Sequence, residues 1–295
     1  VINRCRPYFD TPGFTDELNK NKLLFGVGNG ILKLQKNGNI KLINGYHQYK
    51  ISVYTKTNYK PFDPNDPLTI YLLRKIRGMF MDECPDSFNW FMHWLGSTLD
   101  GTKKYQILLI LWGKGNNGKS IIMDLYRETF GTDYFSPLNS ELLTRITGSA
   151  ESATPMLMTI KDKHLVMFSE LGQKEVLNIQ VLKRLLGAEH IIGRQLHKET
   201  EQFGPVCGYV LLCNNLVDVP TAEEATWKRI LLLKLPVQFY SKDNQYYDST
   251  NKFIREADSS LKQKIENIES QEAFLSIVAY YWQSLQINYN GNLEK

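Results

Sequence analysis

The sequence predicts an α/β protein built on a central, mainly parallel sheet, and three stretches predict it. The first is Gln106-Ile-Leu-Leu-Ile-Leu-Trp112, an apolar run that enters the loop Gly113-Lys-Gly-Asn-Asn-Gly-Lys119-Ser120 and leaves it as a helix-like segment from Ile121. The other two are Leu165–Phe168 and Gly208–Cys213, unbroken apolar runs of the kind carried by strands buried on both sheet faces. Both end in polar residues, Glu170 after one and Asn214-Asn215 after the other.

The loop fits the pattern G-x-x-x-x-G-K-[ST] of phosphate-binding loops. Its glycines let successive backbone N–H groups curl inward onto phosphate oxygens, and the helix that follows adds its positive end. The expected cofactors are ATP and Mg²⁺. Gly113, Lys114, Gly115, Asn116, Asn117, Gly118, Lys119, Ser120 and Ile121 form the expected cradle. Lys119 is expected to reach the β- and γ-phosphates, and Ser120 to hold the metal. Ligands of open α/β sheets bind at the carboxyl edge, where the strand 165–168 delivers Glu170. A carboxylate there can hold the Mg²⁺ shell or polarise an attacking water. Asn214, at the same edge, is placed to orient that water, although asparagine after a strand is also an ordinary turn former. Arg229 opens a further apolar run, and its guanidinium fork suits phosphate oxygens of a neighbouring subunit better than Lys228 does.

Residues 1–66 read as a small basic module with short β pieces, the first 60 holding ten Lys/Arg against three Asp/Glu. Such a module suits a polyanion or simply a solvated face. Three prolines between Pro61 and Pro67 suggest a boundary, and residues 67–103 turn helical as a collar or linker. Phe88, Phe91, Met92 and Leu95 share one helix face, with Asp86 or Ser87 as the N-cap. The ATPase core is expected over 104–240 and a helical segment over 241–295, with helix from Phe253. Within the core, His190-Ile-Ile-Gly-Arg194-Gln-Leu-His197-Lys198 reads as a hairpin with a basic tip, a candidate nucleic-acid contact through Arg194 and Lys198 or simply a surface charge cluster.

No apolar run approaches the roughly 20 residues needed to span a bilayer. Cys5, Cys84, Cys207 and Cys213 form no C-x-x-C pair, which argues against zinc and a disulfide framework and for a reducing, intracellular compartment. The chain opens at Val1 without an initiator methionine, which leads to the expectation of a fragment or a processed product.

Taken in order, the loop at Gly113–Ser120, Phe168-Ser-Glu170, Leu182-Lys-Arg-Leu-Leu-Gly187, Gly193-Arg194 with His197-Lys198, Cys213-Asn214-Asn215 and Trp227-Lys-Arg229 resemble the successive motifs of superfamily-3 helicases. The poxvirus-type and satellite-phage-type viral primase–helicases are the nearest match, and their N-terminal module is similar to residues 21–34 here. The resemblance implies an AAA+ core that assembles as a homo-oligomeric ring, usually a hexamer, around DNA. It gives Glu170 as catalytic acid, Asn214 as sensor with Asn215 as the alternative, Arg229 as an arginine finger in trans, and His197 and Lys198 at the DNA, where the basic hairpin itself adds Arg194. Cys213 departs from the commoner Thr or Ser, and no second acid precedes Glu170.

The resulting expectation is an ATP-driven helicase that moves on single-stranded DNA and opens forked duplex during viral genome replication, in host cytoplasm, with an upstream primase and other replication proteins as partners and no membrane. A nucleotide-gated DNA-loading platform, a small-molecule kinase, and a DNA-packaging or RNA-directed ATPase are the alternative classes.

Overall fold

The computed structural model describes residues 13–45, 48–81, 84–102, 105–144, 155–172, 175–187, 191–194, 200–221 and 223–293. A short helix α1 (Phe14–Glu17) precedes three strands, β1 (Leu24–Val27), β2 (Gly30–Leu34) and β3 (Ile40–Ile43). They form an antiparallel meander with Leu24 opposite Lys33 and Ile31 opposite Ile43.

Helix α2 (Pro67–Arg77) begins where the prolines end. Asp66 caps it by accepting from the Thr69 N–H at 2.7 Å, and Pro67 takes the first helical position, where a missing N–H costs nothing. The same logic corrects the expected cap of α3 (Pro85–Ser97). Pro85 opens this helix, so Cys84 rather than Asp86 or Ser87 is the cap residue, and Asp86 falls in the first turn.

The central sheet follows: β4 (Leu108–Trp112), α4 (Lys119–Tyr134, kinked at Gly131 with φ 69°), β5 (Phe135–Leu138), α5 (Glu141–Thr144), α6 (Pro155–Met158), β6 (Leu165–Phe168), α7 (Ile179–Leu186), a hairpin of β7 (Ile191–Arg194) and β8 (Thr200–Phe203), β9 (Gly208–Cys213), α8 (Glu224–Trp227) and β10 (Ile230–Lys234). Its strands lie in the order β10-β4-β9-β6-β5, every pair parallel. The chain thus visits β4 first, near the middle, and places β9 between β4 and β6.

Alternate residues of each strand serve different faces, as a period of two requires. Leu109 and Leu111 of β4 and Val210 of β9 join one apolar cluster; Leu108, Ile110, Tyr209 and Leu211 join the other with Leu182 and Leu185 of α7. The first cluster also takes in Phe25 and Leu32 from the N-terminal meander, Leu72 of α2, Phe91 and Trp94 of α3, and Tyr126 of α4. Burying each such side chain contributes on the order of 2 kcal/mol.

After β10 the chain departs from the predicted helix at Phe253. Residues of β11 (Gln238–Tyr240) pair in parallel with β12 (Ile254–Glu256), so the start of that segment is a strand. Asp258 then turns the chain by accepting from the Ser260 N–H (3.0 Å) and hydroxyl (2.6 Å). A short α9 (Leu261–Ile265) leads to α10 (Ile268–Tyr289), which Asn267 caps. On α10, Phe274, Ile277 and Val278 fall at helical spacing and are fully buried. Gly96 lets α3 cross α10 closely: a Cβ at that position would stand 2.6 Å from the Trp282 nitrogen. Across the same junction the Trp282 indole N–H donates to buried Asp100 at 2.7 Å. No helix among the described residues is long and apolar enough to cross a membrane.

Candidate functional site

Because β4, β9 and β6 are neighbours and parallel, the residues following them leave the sheet along one edge. Trp112 lies opposite Cys213, and the Gly113 N–H donates to the Cys213 carbonyl at 3.2 Å, so the glycine loop starts beside Asn214. Glu170 arrives two residues after β6 on the other side of Asn214.

The loop turns on three residues of positive φ, Gly115 (83°), Asn116 (52°) and Gly118 (84°). Gly118 is confined twice over: its φ is left-handed, and a Cβ would stand 2.6 Å from the terminal methyl of Met79. Helix α4 begins directly after it. Its first residue, Lys119, is only 8% exposed. The ammonium donates to the Gly113 carbonyl at 2.6 Å and to the Asn214 side-chain oxygen at 3.0 Å. Asn214 in turn donates to Glu170 twice, from its backbone N–H at 3.0 Å and its side-chain amide at 2.7 Å. One asparagine therefore bridges the buried cation and the carboxylate. Asn215 is exposed and lines a neighbouring cleft of about 280 Å³ with Glu170, Glu175 and Asp218, so only Asn214 of the two touches Lys119.

Burial pulls the Lys119 pKa below that of an ordinary lysine, because the charged form loses water, while the Glu170 carboxylate opposes the shift. Burial also pushes the Cys213 thiol up to about 11, which keeps it neutral at physiological pH. Ser120 is exposed at the helix start, where its hydroxyl can meet a solvated ligand.

Several contacts that hold the loop had no signal in the sequence. The side chain of Asn117, expected only as part of the cradle, is buried and donates inward to the carbonyls of Leu235 (2.9 Å) and Val237 (2.7 Å). The Phe239 N–H donates to the Asn116 carbonyl at 2.8 Å, and Gln238 donates to the Gly115 carbonyl at 3.2 Å. These partners are more than a hundred residues downstream, and only the return of the chain beside β4 brings them in. Trp112 supports the other side, its indole N–H donating to the Asn214 carbonyl at 3.1 Å.

Arg229 is not gathered into this cluster. It precedes β10, whose Ile230 pairs with Leu108, and its carbonyl accepts from the Leu108 N–H at 2.8 Å. That is the amino edge of the sheet, opposite the glycine loop of the same chain. Lys228 is exposed and paired with Glu224 at 2.8 Å. Arg194 ends β7 opposite Thr200 in the expected hairpin. His197 and Lys198, at the expected basic tip, lie outside the described residues.

Comparisons with known proteins follow the same segment. A model described as a family of unknown function, DUF5906, matches residues 111–229, from the end of β4 to Arg229. A protein of African swine fever virus named a "putative primase" is 31% identical over the whole of this chain. One of Acanthamoeba polyphaga mimivirus, named a "putative helicase", is 28% identical over 96% of it, and another so named, of Frog virus 3, is 25% identical over 76%. The chain spans about 30% of the length of the first of these relatives and 29% of the second. Among solved structures, the apo C-terminal region of NrS-1 shares the fold with a TM-score of 0.52 and 13% identity, covering 92% of this chain and 73% of that one. The chain is thus similar, over its length, to proteins of large DNA viruses named as primases and helicases.

Proposed function

We propose that this chain is the ATP-driven motor of a viral replication helicase of the superfamily-3, AAA+ type, working as a ring, usually a hexamer. The observation that carries the reading is the bridge Lys119–Asn214–Glu170 at the mouth of the glycine loop. A buried ammonium held by neutral oxygens alone, those of Gly113, Asn214 and, at 3.5 Å, Asn117, is a cation awaiting an anion. The carbonyls of Gly113 and Asn214 stand where phosphate oxygens would satisfy it better. Glu170, one amide away, is spaced to orient a water against the terminal phosphate. The names of the viral relatives and the order of strands support the motor reading.

In this reading ATP lies on Gly113–Ile121, with Lys119 across its β- and γ-phosphates. Ser120 and Glu170 fit a hard divalent cation through their oxygens, and Mg²⁺ bound there would neutralise charge on the phosphates. As Lys119 turns to the nucleotide it releases the Asn214 oxygen, and Asn214 relays that change to Glu170. Arg229, at the far edge of its own sheet, faces the γ-phosphate of the next subunit. Fingers of this kind are worth roughly 10³–10⁵ in rate. Coupling reaches DNA through the hairpin, with Arg194, His197 and Lys198 on the strand in the pore. An upstream primase and a cytoplasmic replication site belong to the same proposal.

The test is steady-state ATP hydrolysis against protein concentration, with and without single-stranded DNA, beside Lys119→Ala. Specific activity that rises with concentration and with DNA, and vanishes in the variant, is expected; forked-duplex unwinding then follows. Activity per subunit that is flat with concentration and indifferent to DNA would overturn the ring motor in favour of a monomeric kinase. DNA-stimulated hydrolysis without strand separation would favour a loading platform.

A further inference from the structure

The N-terminal meander carries a charge pattern that its fold does not need. Between Leu18 and Phe62 stand eight lysines, no arginine and no carboxylate. Three of these lysines reach acids outside the stretch: Lys22 pairs with Asp162 at 2.7 Å, Lys50 with Glu17 and Lys60 with Glu272. Lys33 of β2 and Lys41 of β3 have no ion pair among the described residues, and they stand directly opposite each other in the antiparallel register. Leu32 and Leu34, on either side of Lys33, turn into the large apolar cluster. Both ammonium groups therefore share the outer face, and Lys36 extends it in the exposed turn between the strands. Like charges directly opposite one another weaken a strand pair. A lysine on an edge strand can block further pairing, and β3 is an edge. But β2 is the middle strand, so that role leaves Lys33 unexplained.

The place of this face in the fold points to its partner. The meander meets the central sheet at the amino edge: the Phe25 ring packs 5.5 Å from that of His164, just before β6. The Gly26 N–H donates to the hydroxyl of Tyr134, just before β5, at 2.8 Å. The hairpin β7–β8 runs into the same edge, since β8 ends at Phe203 and β9 begins at Gly208. The lysine face and the basic hairpin thus belong to one edge of the sheet, opposite the glycine loop.

We infer that the outer face of the meander, through Lys33, Lys41 and Lys36, holds the phosphate backbone of a nucleic-acid strand, a contact separate from that of the hairpin. The inference rests on the nucleic-acid reading above. A phosphodiester between the two opposed ammonium groups turns their repulsion into attraction. Lysine meets phosphate as a point charge, and backbone contacts of this kind position a strand without reading its sequence.

The test follows binding of single-stranded oligothymidylate by fluorescence anisotropy over a series of salt concentrations. It compares wild type with Lys33→Gln/Lys41→Gln and with a control of equal charge change, Lys242→Gln/Lys252→Gln, exposed in the segment after β10. The first variant should bind at least about tenfold more weakly near 0.1 M salt, with a salt slope shallower by about 1.4, roughly 0.7 for each lost contact. The control should stay within about twofold of wild type. Equal slopes for wild type and Lys33→Gln/Lys41→Gln, or an equal loss in the control, would overturn the inference. Acetylation footprinting of wild type avoids any folding defect in the variants. Lys33 and Lys41 should be shielded by the oligonucleotide while Lys242 and Lys252 stay reactive. Lys33 and Lys41 as reactive with the strand as without it would overturn the inference and leave the face to an acidic protein surface. Failure of wild type to bind the strand at all would instead sink the nucleic-acid reading itself.

Discussion

Asn214 is where one amide answers to two charges, and the predictions at residue scale turn on it. Glu170→Gln keeps the shape of the side chain but replaces an acceptor oxygen with an N–H₂ donor facing the Asn214 amide. The expected outcome is hydrolysis slowed about 10²–10⁴-fold, the range of general-base losses, with ATP affinity little changed. An unchanged turnover would remove Glu170 from the chemistry. Arg229 makes a different prediction, because it stands at the opposite sheet edge from its own glycine loop. Arg229→Ala should abolish hydrolysis while leaving ATP binding nearly intact. Mixed with Glu170→Gln, it should regain activity, since some interfaces then pair an intact Glu170 with an intact Arg229. Mixtures as dead as their components would show that Arg229 does not act across subunits. Residue identity carried much of this site into view. A glycine loop ending in Lys-Ser and a carboxylate after a buried strand were legible because their chemistry is local. That Asn214 rather than Asn215 meets Lys119 was not, as it depends on which amide the turn after β9 directs at the ammonium.

Among the elements, β11 does more than its three residues suggest. Asn117 reaches the carbonyls of Leu235 and Val237, and Gln238 and Phe239 reach back to the loop. The loop is therefore strapped to the strand that follows β10. Asn117→Ala leaves two buried carbonyls short of a donor, at a cost of about 1–3 kcal/mol each before water enters. Denaturant unfolding should show lower stability, and ATP affinity should fall more than stability alone explains; full retention of both would refute the strap. The sequence showed none of this. Polarity and tyrosines between Pro236 and residue 250 hid a three-residue strand whose partner, β12, had been read as the start of a helix. Short strands lack the length that makes a period visible, whereas the longer α7 repeats its buried Val181, Leu182, Leu185 and Leu186 at helical spacing.

Across the whole molecule, the N-terminal meander and the central sheet meet at His164. Its Nδ1–H donates to the Thr98 carbonyl at 2.9 Å, with the Phe25 and Tyr134 rings packed at 5.5 and 4.8 Å. Burial lowers its pKa from 6.5 to about 4; the Thr98 carbonyl and Asp100 oppose the shift, and Lys22 adds to it. The unfolded chain thus binds a proton between pH 6.5 and 4 that the folded chain refuses. Stability is fully present above pH 6.5 and falls as the pH drops toward 4, by up to about 3 kcal/mol. Thermal unfolding across that range should show the decline in wild type and a shallower one in His164→Gln; identical slopes would contradict it. The amino-terminal and core segments were read from sequence as successive units, and their shared apolar cluster is a tertiary fact that no local pattern announces.

Trp112 has a use of its own. Its ring lies 5.1 Å from the Lys234 ammonium, and its indole N–H holds the carbonyl of the asparagine that grips Lys119. The protein therefore contains a built-in optical reporter. On the nucleotide-binding proposal a phosphate draws Lys119 away, so the field around this indole changes and ultraviolet emission should shift without any dye. A stopped-flow trace of that emission, silent in Trp112→Phe, would time the arrival of the nucleotide before any product forms.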